Sequence, residues 1–275
     1  MKRLIYSIYI EVPDSEFVDN QKTNLNTKKE LKENYQRLID CKQQYADSIG
    51  ADFVLINKYE EYKDEMKSKY PFLTTYNIIN FYKIFLLYKF SSKYDQMLYL
   101  DFDVIPNTKE NFFEVFDLSK GIAIANNNDK VSKIDNITET SQTIRSPNSK
   151  YYNSQAMLLQ RGLSSECDVV NTGIIGIDKS HLYKLEYFNQ FDQDMITMTQ
   201  LKFDKSMFPK KIVDYFGYDN ETLFSVKLKQ HNVPVQWLDD DWHYFFYDNL
   251  FIPESAKLIH AINKKFDIVW RNVNA

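Results

Sequence analysis

The sequence predicts an α/β protein, a mainly parallel mixed sheet covered by helices. Three observations carry that prediction. Short apolar runs alternate with stretches of helical periodicity through the first half of the chain. The 275 residues are 44% hydrophobic and include 20 Tyr and 20 Phe, enough for a large core without staples. The 2 cysteines, Cys41 and Cys167, supply neither a disulfide framework nor a multi-cysteine zinc site.

The elements follow in chain order. Leu4, Tyr6 and Ile8 alternate as a first strand. Thr27-Lys28-Lys29-Glu30 has the pattern of a capping box. Leu31, Tyr35, Leu38, Tyr45 and Ile49 then recur at helical spacing, and Gly50 suits the helix end. Asp52 to Ile56 is a second strand. Ile78 to Tyr88 is a second long helix. Met97 to Phe102 is a third strand stopped by Pro106, and Gly121 to Ala125 a fourth. Asn126 to Asp168 is polar and weakly periodic, and reads as a long surface excursion. Val169 to Ile177 is apolar. Helices are expected from about Ser180 and from Glu221 to Lys229. Apolar runs at Pro234 to Leu238 and Lys257 to Ile262 complete the core. No linker divides the chain, so 1–275 is expected to be one domain, with 1–125 and 126–275 as its two halves.

Charge and hydropathy narrow the function. Thirty-four basic residues against 38 acidic ones give a net charge of −4, against nucleic-acid binding, which needs a basic surface. The most apolar stretch, Ile78 to Phe90, carries Lys83 and Lys89 and is short of the ~20 residues of a membrane span. The short apolar run after Met1-Lys2-Arg3 is expected to be a strand, since a secretory signal would need a longer apolar region and a small-residue cleavage site. A cytoplasmic protein is the expectation.

The sharpest motif is Met97-Leu-Tyr-Leu-Asp101-Phe-Asp103-Val-Ile-Pro106. Asp101 and Asp103 are two apart, so on a strand they share a side. They stand at its carboxyl end, outside which ligands bind in open α/β sheets. Two close carboxylates repel unless a cation compensates. Hard divalent cations take oxygen ligands and keep positions for phosphates. The pair therefore reads as a metal–diphosphate site, or else as loop-edge aspartates satisfied by caps and water.

The chain has only 6 glycines, and Gly173 and Gly176 fall together in Val169-Val-Asn171-Thr-Gly173-Ile-Ile-Gly176-Ile-Asp178. Glycine in a strand marks a bulge or a close approach. Asn171 adds an amide, so this strand is either a ligand-pocket wall or a tightly packed strand.

In this order, the segments resemble the GT-A-fold glycosyltransferases, closest to the glycogenin-like retaining branch and its bacterial galactosyltransferase relatives. The matching pieces are Lys83, Asp101-Phe102-Asp103, Asn171-Thr172-Gly173, Asp219-Asn220-Glu221-Thr222-Leu223 and His260. Asn220 stands where the family has Gln. His260-Ala261-Ile262-Asn263-Lys264-Lys265 lacks the glycine of the family's H-x-x-G-x-x-K pattern.

The resemblance implies a metal-dependent glycosyltransferase moving a hexose from a nucleotide-diphosphate sugar, such as a UDP-sugar, to an acceptor hydroxyl with retention. It implies Mn²⁺ or Mg²⁺ on Asp101, Asp103 and His260, with Asp101 also reaching the ribose. His243 is the rival histidine. Lys83 would contact donor phosphate or sugar, and otherwise would lie on the helix surface with its tip in water. Asp219 and Asn220 would hold donor-sugar hydroxyls, Asn171 would line the donor pocket, and Lys264 would meet the diphosphate. Topology puts the nucleotide base near Tyr9 and Glu11. Arg145, Tyr151 and Tyr152 could close over the donor. The acceptor could be a glycan, a lipid-linked sugar or a protein. Two alternatives stand beside this: a haloacid-dehalogenase-like phosphohydrolase using Asp101 and Asp103, and a non-catalytic sugar-nucleotide- or carbohydrate-binding protein of the same fold.

Overall fold

A computed structural model describes residues 1–13, 27–131, 147–203, 216–247 and 249–273. The strands are β1 (Arg3–Ile8), β2 (Asp52–Ile56), β3 (Gln96–Leu100), β4 (Val104–Pro106), β5 (Ile122–Asn126), β6 (Val170–Asp178), β7 (Val235–Leu238), β8 (Tyr244–Phe246) and β9 (Leu258–Ala261). The helices among the described residues are α1 (Thr27–Glu33), α2 (Tyr35–Ser48), α3 (Glu60–Lys69), α4 (Thr75–Phe90), α5 (Phe112–Val115), α6 (Pro147–Gln160), α7 (Lys179–Leu185), α8 (Phe191–Phe203), α9 (Asn220–Gln230) and α10 (Phe266–Asn272).

Six strands form one mixed sheet in the order β2-β1-β3-β6-β5-β7. β1 is parallel to β2 and β3, and β5 is parallel to β7. β6 runs antiparallel to β3 and β5 between them. The carboxyl ends of β3 and β5 thus share an edge with the start of β6. Helices cover both faces, which is why β1 is buried on both sides. Leu4, Tyr6 and Ile8 join one apolar cluster with α4, while Ile5 joins the opposite one with Tyr45 and Ala46 of α2. Burying each such large side chain contributes about 1.5–3 kcal/mol.

The structure departs from the sequence reading at two elements and adds a second sheet that the reading did not assign. The first long helix is two helices, broken at Asn34, whose Nδ2 donates to the Glu30 carbonyl at 2.9 Å. Part of the polar excursion is α6, which buries Asn148, Ser149, Asn153 and Ser154 beside Ala156, Met157 and Leu158. Small polar residues form much of its inner face, so no apolar stripe reveals it. The run from Lys257 to Ile262 does not join the main sheet. Its β9 pairs with β4 and β8 in a separate three-stranded sheet. That sheet packs on Leu38, Phe266 and Val269.

Candidate metal–diphosphate site

The site begins where β3 stops. Asp101, Phe102 and Asp103 are a turn, closed by the Val104 amide donating to the Asp101 carbonyl at 2.9 Å. The aspartates converge through this turn, since the strand whose alternation was invoked has already ended at Leu100. Phe102 points the other way, packing on Tyr9 at 4.7 Å and Tyr35 at 5.6 Å between ring centroids.

β9 brings His260 to the turn, because it pairs with β4 in the register Val104 opposite His260. His260 Nε2 lies 3.4 Å from Asp103 Oδ2 and 3.8 Å from Asp101 Oδ2. Asp101, Asp103 and His260 each offer an atom within 4.8 Å of the others. Two carboxylates and an imidazole in that space could hold a divalent cation.

Two lysines complete the charge balance. Lys264, beyond β9, contacts the Asp103 carboxylate. Its backbone is left-handed at φ 54°, which non-glycine residues seldom adopt. Burial pushes the Asp103 carboxyl up, but Lys264 and His260 outweigh it and hold it well below the usual range. Lys83 of α4 is 3% exposed, and its Nζ lies 3.5 Å from Asp101 Oδ1. The surface-lysine reading of Lys83 is thus corrected: its tip is paired and buried. Tyr99 donates its hydroxyl to the same Asp101 oxygen at 2.5 Å.

β6 forms the adjacent wall. Its Gly173 carbonyl accepts from the Asp101 amide at 2.7 Å. A Cβ on Gly173 would sit 2.5 Å from His260 Cε1, so only glycine admits the imidazole there. Asn171 Oδ1 accepts from the Gly173 amide at 2.9 Å. One residue between them, Thr172 faces α9: Asn220 Nδ2 donates to its hydroxyl at 2.8 Å, and its amide donates to Glu221 at 2.7 Å. Asp219 caps α9 by accepting from the Glu221 amide at 3.1 Å, and its second oxygen is buried without a hydrogen bond among the described residues. Lys150 of α6 lies against Glu221 and 3.9 Å from Asp219. The predicted residues therefore form two linked groups. Lys83, Asp101, Asp103, His260 and Lys264 meet directly. Asp219 and Asn220 reach them through Thr172 and Gly173.

The remaining predicted residues are less engaged. Tyr9 stacks edge-on with Tyr35 at 4.8 Å, and Glu11 is exposed, 3.9 Å from Lys32. Tyr151 and Tyr152 line a separate cavity of about 960 Å³ with Cys167, Ser225, Lys229 and Trp237. Arg145 lies outside the described residues.

Sequence reading missed Lys42 and Lys150 and gave His243 a different role. Lys42 of α2, fully buried, donates to the Phe102 carbonyl at 2.8 Å and so holds the turn. Burial lowers its pKa. His243, the rival ligand, sits behind His260, with Nε2 3.0 Å from His260 Nδ1. Burial, then neighbouring His260, pushes its pKa well down. No sequence signal marks Lys42 or Lys150, whose partners are 60 and 71 residues away.

No family model matches the chain, and no curated protein matches it by sequence. Among solved structures it is similar to a glycosyltransferase involved in glycosylation of the major capsid of PBCV-1, at 11% identity and TM-score 0.49, covering 98% of this chain and 100% of that one. It is similar to the galactosyltransferase LgtC in complex with donor and acceptor sugar analogues, at 10% identity and TM-score 0.44, covering 88% and 75%. It is also similar to mouse xyloside xylosyltransferase 1, at 9% identity and TM-score 0.49, covering 95% and 98%. At such identities the chemistry rests on the site's own residues. That site defines the class: an α/β protein with an acid–acid–histidine cluster at the carboxyl ends of its strands.

Proposed function

We propose that the protein is a metal-dependent glycosyltransferase that moves a hexose from a nucleotide-diphosphate sugar, a UDP-sugar first among the donors, to an acceptor hydroxyl. The observation that carries this is the convergence of Asp101, Asp103 and His260 within 4.8 Å, flanked by two lysines. Oxygen and imidazole ligands beside ammonium groups are what a cation-bound diphosphate requires. The bound ion would neutralise charge growing on the diphosphate leaving group.

The chain's own residues do the rest. Asp101, Asp103 and His260 would hold the ion, and Asp101 would also reach the ribose. Lys83 and Lys264, paired with Asp101 and Asp103, would bind the diphosphate. The base lies at the end of β1 against Tyr9 and Glu11. Asn171, Asp219 and Asn220 orient the sugar, with Lys150 keeping the Asp219 end of α9 charge-balanced. In a retaining transfer the bond from the anomeric carbon to the phosphate oxygen breaks as the acceptor oxygen bonds on the same face. The departing phosphate oxygen then takes the acceptor's proton, and no general base is needed. Residues 1–125 serve the nucleotide and 126–275 the sugar and acceptor, in one catalytic domain. The acceptor class is a glycan, a lipid-linked sugar or a protein. No helix among the described residues is long and apolar enough to cross a membrane.

The site supports the phosphohydrolase reading less well. A nucleophilic aspartate must be free to attack, whereas Asp103 is held by Lys264 and His260, and Asp101 by Lys83 and the Tyr99 hydroxyl. The test is nucleotide release from UDP- and GDP-sugars with Mn²⁺, with and without chelator, using wild type and Asp103→Asn. Chelator-sensitive release that Asp103→Asn loses is expected. Undiminished release by a folded Asp103→Asn protein would refute the proposal.

A further inference from the structure

We propose that His243 is a positioning residue that fixes the orientation and tautomer of His260, so that His260 presents Nε2 to the metal. This rests on the metal reading of the site given above.

The imidazole of His260 is enclosed on several sides. Nε2 faces Asp103 and Asp101 at 3.4 and 3.8 Å. The Cε1–Nδ1 edge packs against Gly173, where a Cβ would come within 2.5 and 2.8 Å. Nδ1 lies 3.0 Å from His243 Nε2. The planes of the two imidazoles are nearly parallel, 19° apart with centroids 5.2 Å apart. Phe245 stacks on His243 at 4.2 Å and on His260 at 5.7 Å. Lys130 Nζ caps Phe245, 3.6 Å from its centroid. The stack fixes the plane of both rings.

Hydrogen-bond direction follows from ligand chemistry. A metal-bound nitrogen must offer its lone pair, so the hydrogen of neutral His260 is on Nδ1. The group at 3.0 Å must then accept it, and His243 Nε2 does so by carrying its own hydrogen on Nδ1. His243 Nδ1 is buried and has no hydrogen-bond partner among the described residues. The cost of an unpartnered N–H therefore falls on His243, while both nitrogens of His260 are used. Metal-ligating histidines ordinarily donate to a carboxylate, a carbonyl or water. Here a second histidine takes that place. His243→Phe would keep an aromatic ring against Phe245 and remove the acceptor, and His243→Gln, which restores an acceptor, separates that loss from the added ring volume.

The experiment titrates the full chain with Mn²⁺, following the free-ion EPR signal, for wild type, His243→Phe and His243→Gln, with circular dichroism on each. His243→Phe is expected to bind Mn²⁺ about 10–100-fold more weakly. His243→Gln, whose amide oxygen can accept at the same place, is expected to recover most of that loss. Unchanged affinity in His243→Phe overturns the proposal, as does a folded glutamine variant no better than phenylalanine. A wild type that binds no Mn²⁺ overturns instead the metal reading beneath it. If His243→Phe does not fold, ¹⁵N NMR of Mg²⁺-saturated wild type decides. Hydrogen on His260 Nδ1 supports the proposal, and hydrogen on His243 Nε2 overturns it.

Discussion

Gly173→Ala should separate metal binding from folding. The new Cβ would lie 2.5 Å from His260 Cε1, 2.8 Å from Nδ1 and 3.0 Å from Asn171 Oδ1, where ordinary contact begins at 3.4 Å. The imidazole must retreat by roughly 0.9 Å, and buried His243 at 3.0 Å leaves it little room. Metal–ligand distances hold to about ±0.2 Å, so that displacement takes His260 out of range of an ion seated on the acid pair. Overpacking costs about 1–3 kcal/mol, a fraction of a typical stability of about 5–15 kcal/mol. Gly176→Ala is the matched control. On the same strand, its Cβ would collide with the Phe112 ring, away from the acid pair. Both variants should melt a few degrees early. Only Gly173→Ala should lose Mn²⁺ affinity, by about tenfold or more. Equal Mn²⁺ affinity in the two variants would refute the claim that this glycine exists to seat His260.

Lys150→Met should cost about 3–5 kcal/mol in urea unfolding, because Glu221 and Asp219 would remain buried without their cation; a loss below about 1 kcal/mol would contradict that account. Lys42→Met should weaken Mn²⁺ binding by freeing the Phe102 carbonyl that holds the turn, and a titration curve identical to wild type would rule this out. Burial, then Asp168, raises the Cys167 thiol to about 12. A raised thiol pKa means less thiolate at any lower pH, about 10⁻⁴ of the groups at pH 8. Iodoacetamide should therefore leave Cys167 unmodified at pH 8 until the chain is unfolded, and its rate should climb with pH toward 12; prompt alkylation of the folded protein would be the contrary result.

The acid pair was legible because a D-x-D after an apolar run is local. The run sets β3, and its end sets the turn. Histidine 260 was reachable only through motif order, since nothing near Leu258 and Ile259 names a partner 157 residues upstream. Its rival, His243, carries the same local signal, and only the pairing of β4 with β9 decides which histidine faces the carboxylates. Lys83 shows the same limit. A lysine in an apolar helix can snorkel or pair, and the choice depends on whether a carboxylate lies above it.

By itself, the sequence determined the α/β class and the strands and helices with clear apolar periodicity, because burial of one face writes that periodicity into neighbouring residues. It also placed the acid pair at a strand end. Tertiary structure decided what periodicity cannot encode. It folded part of a polar excursion into α6, whose inner face is packed with small amides and hydroxyls. It moved β9 into a second sheet and set His243 behind His260. It also buried Lys42, Lys83 and Lys150 against carbonyls and carboxylates from distant segments. A buried charge must find a partner, but the chain can supply that partner from anywhere, and only the packed fold brings the two together.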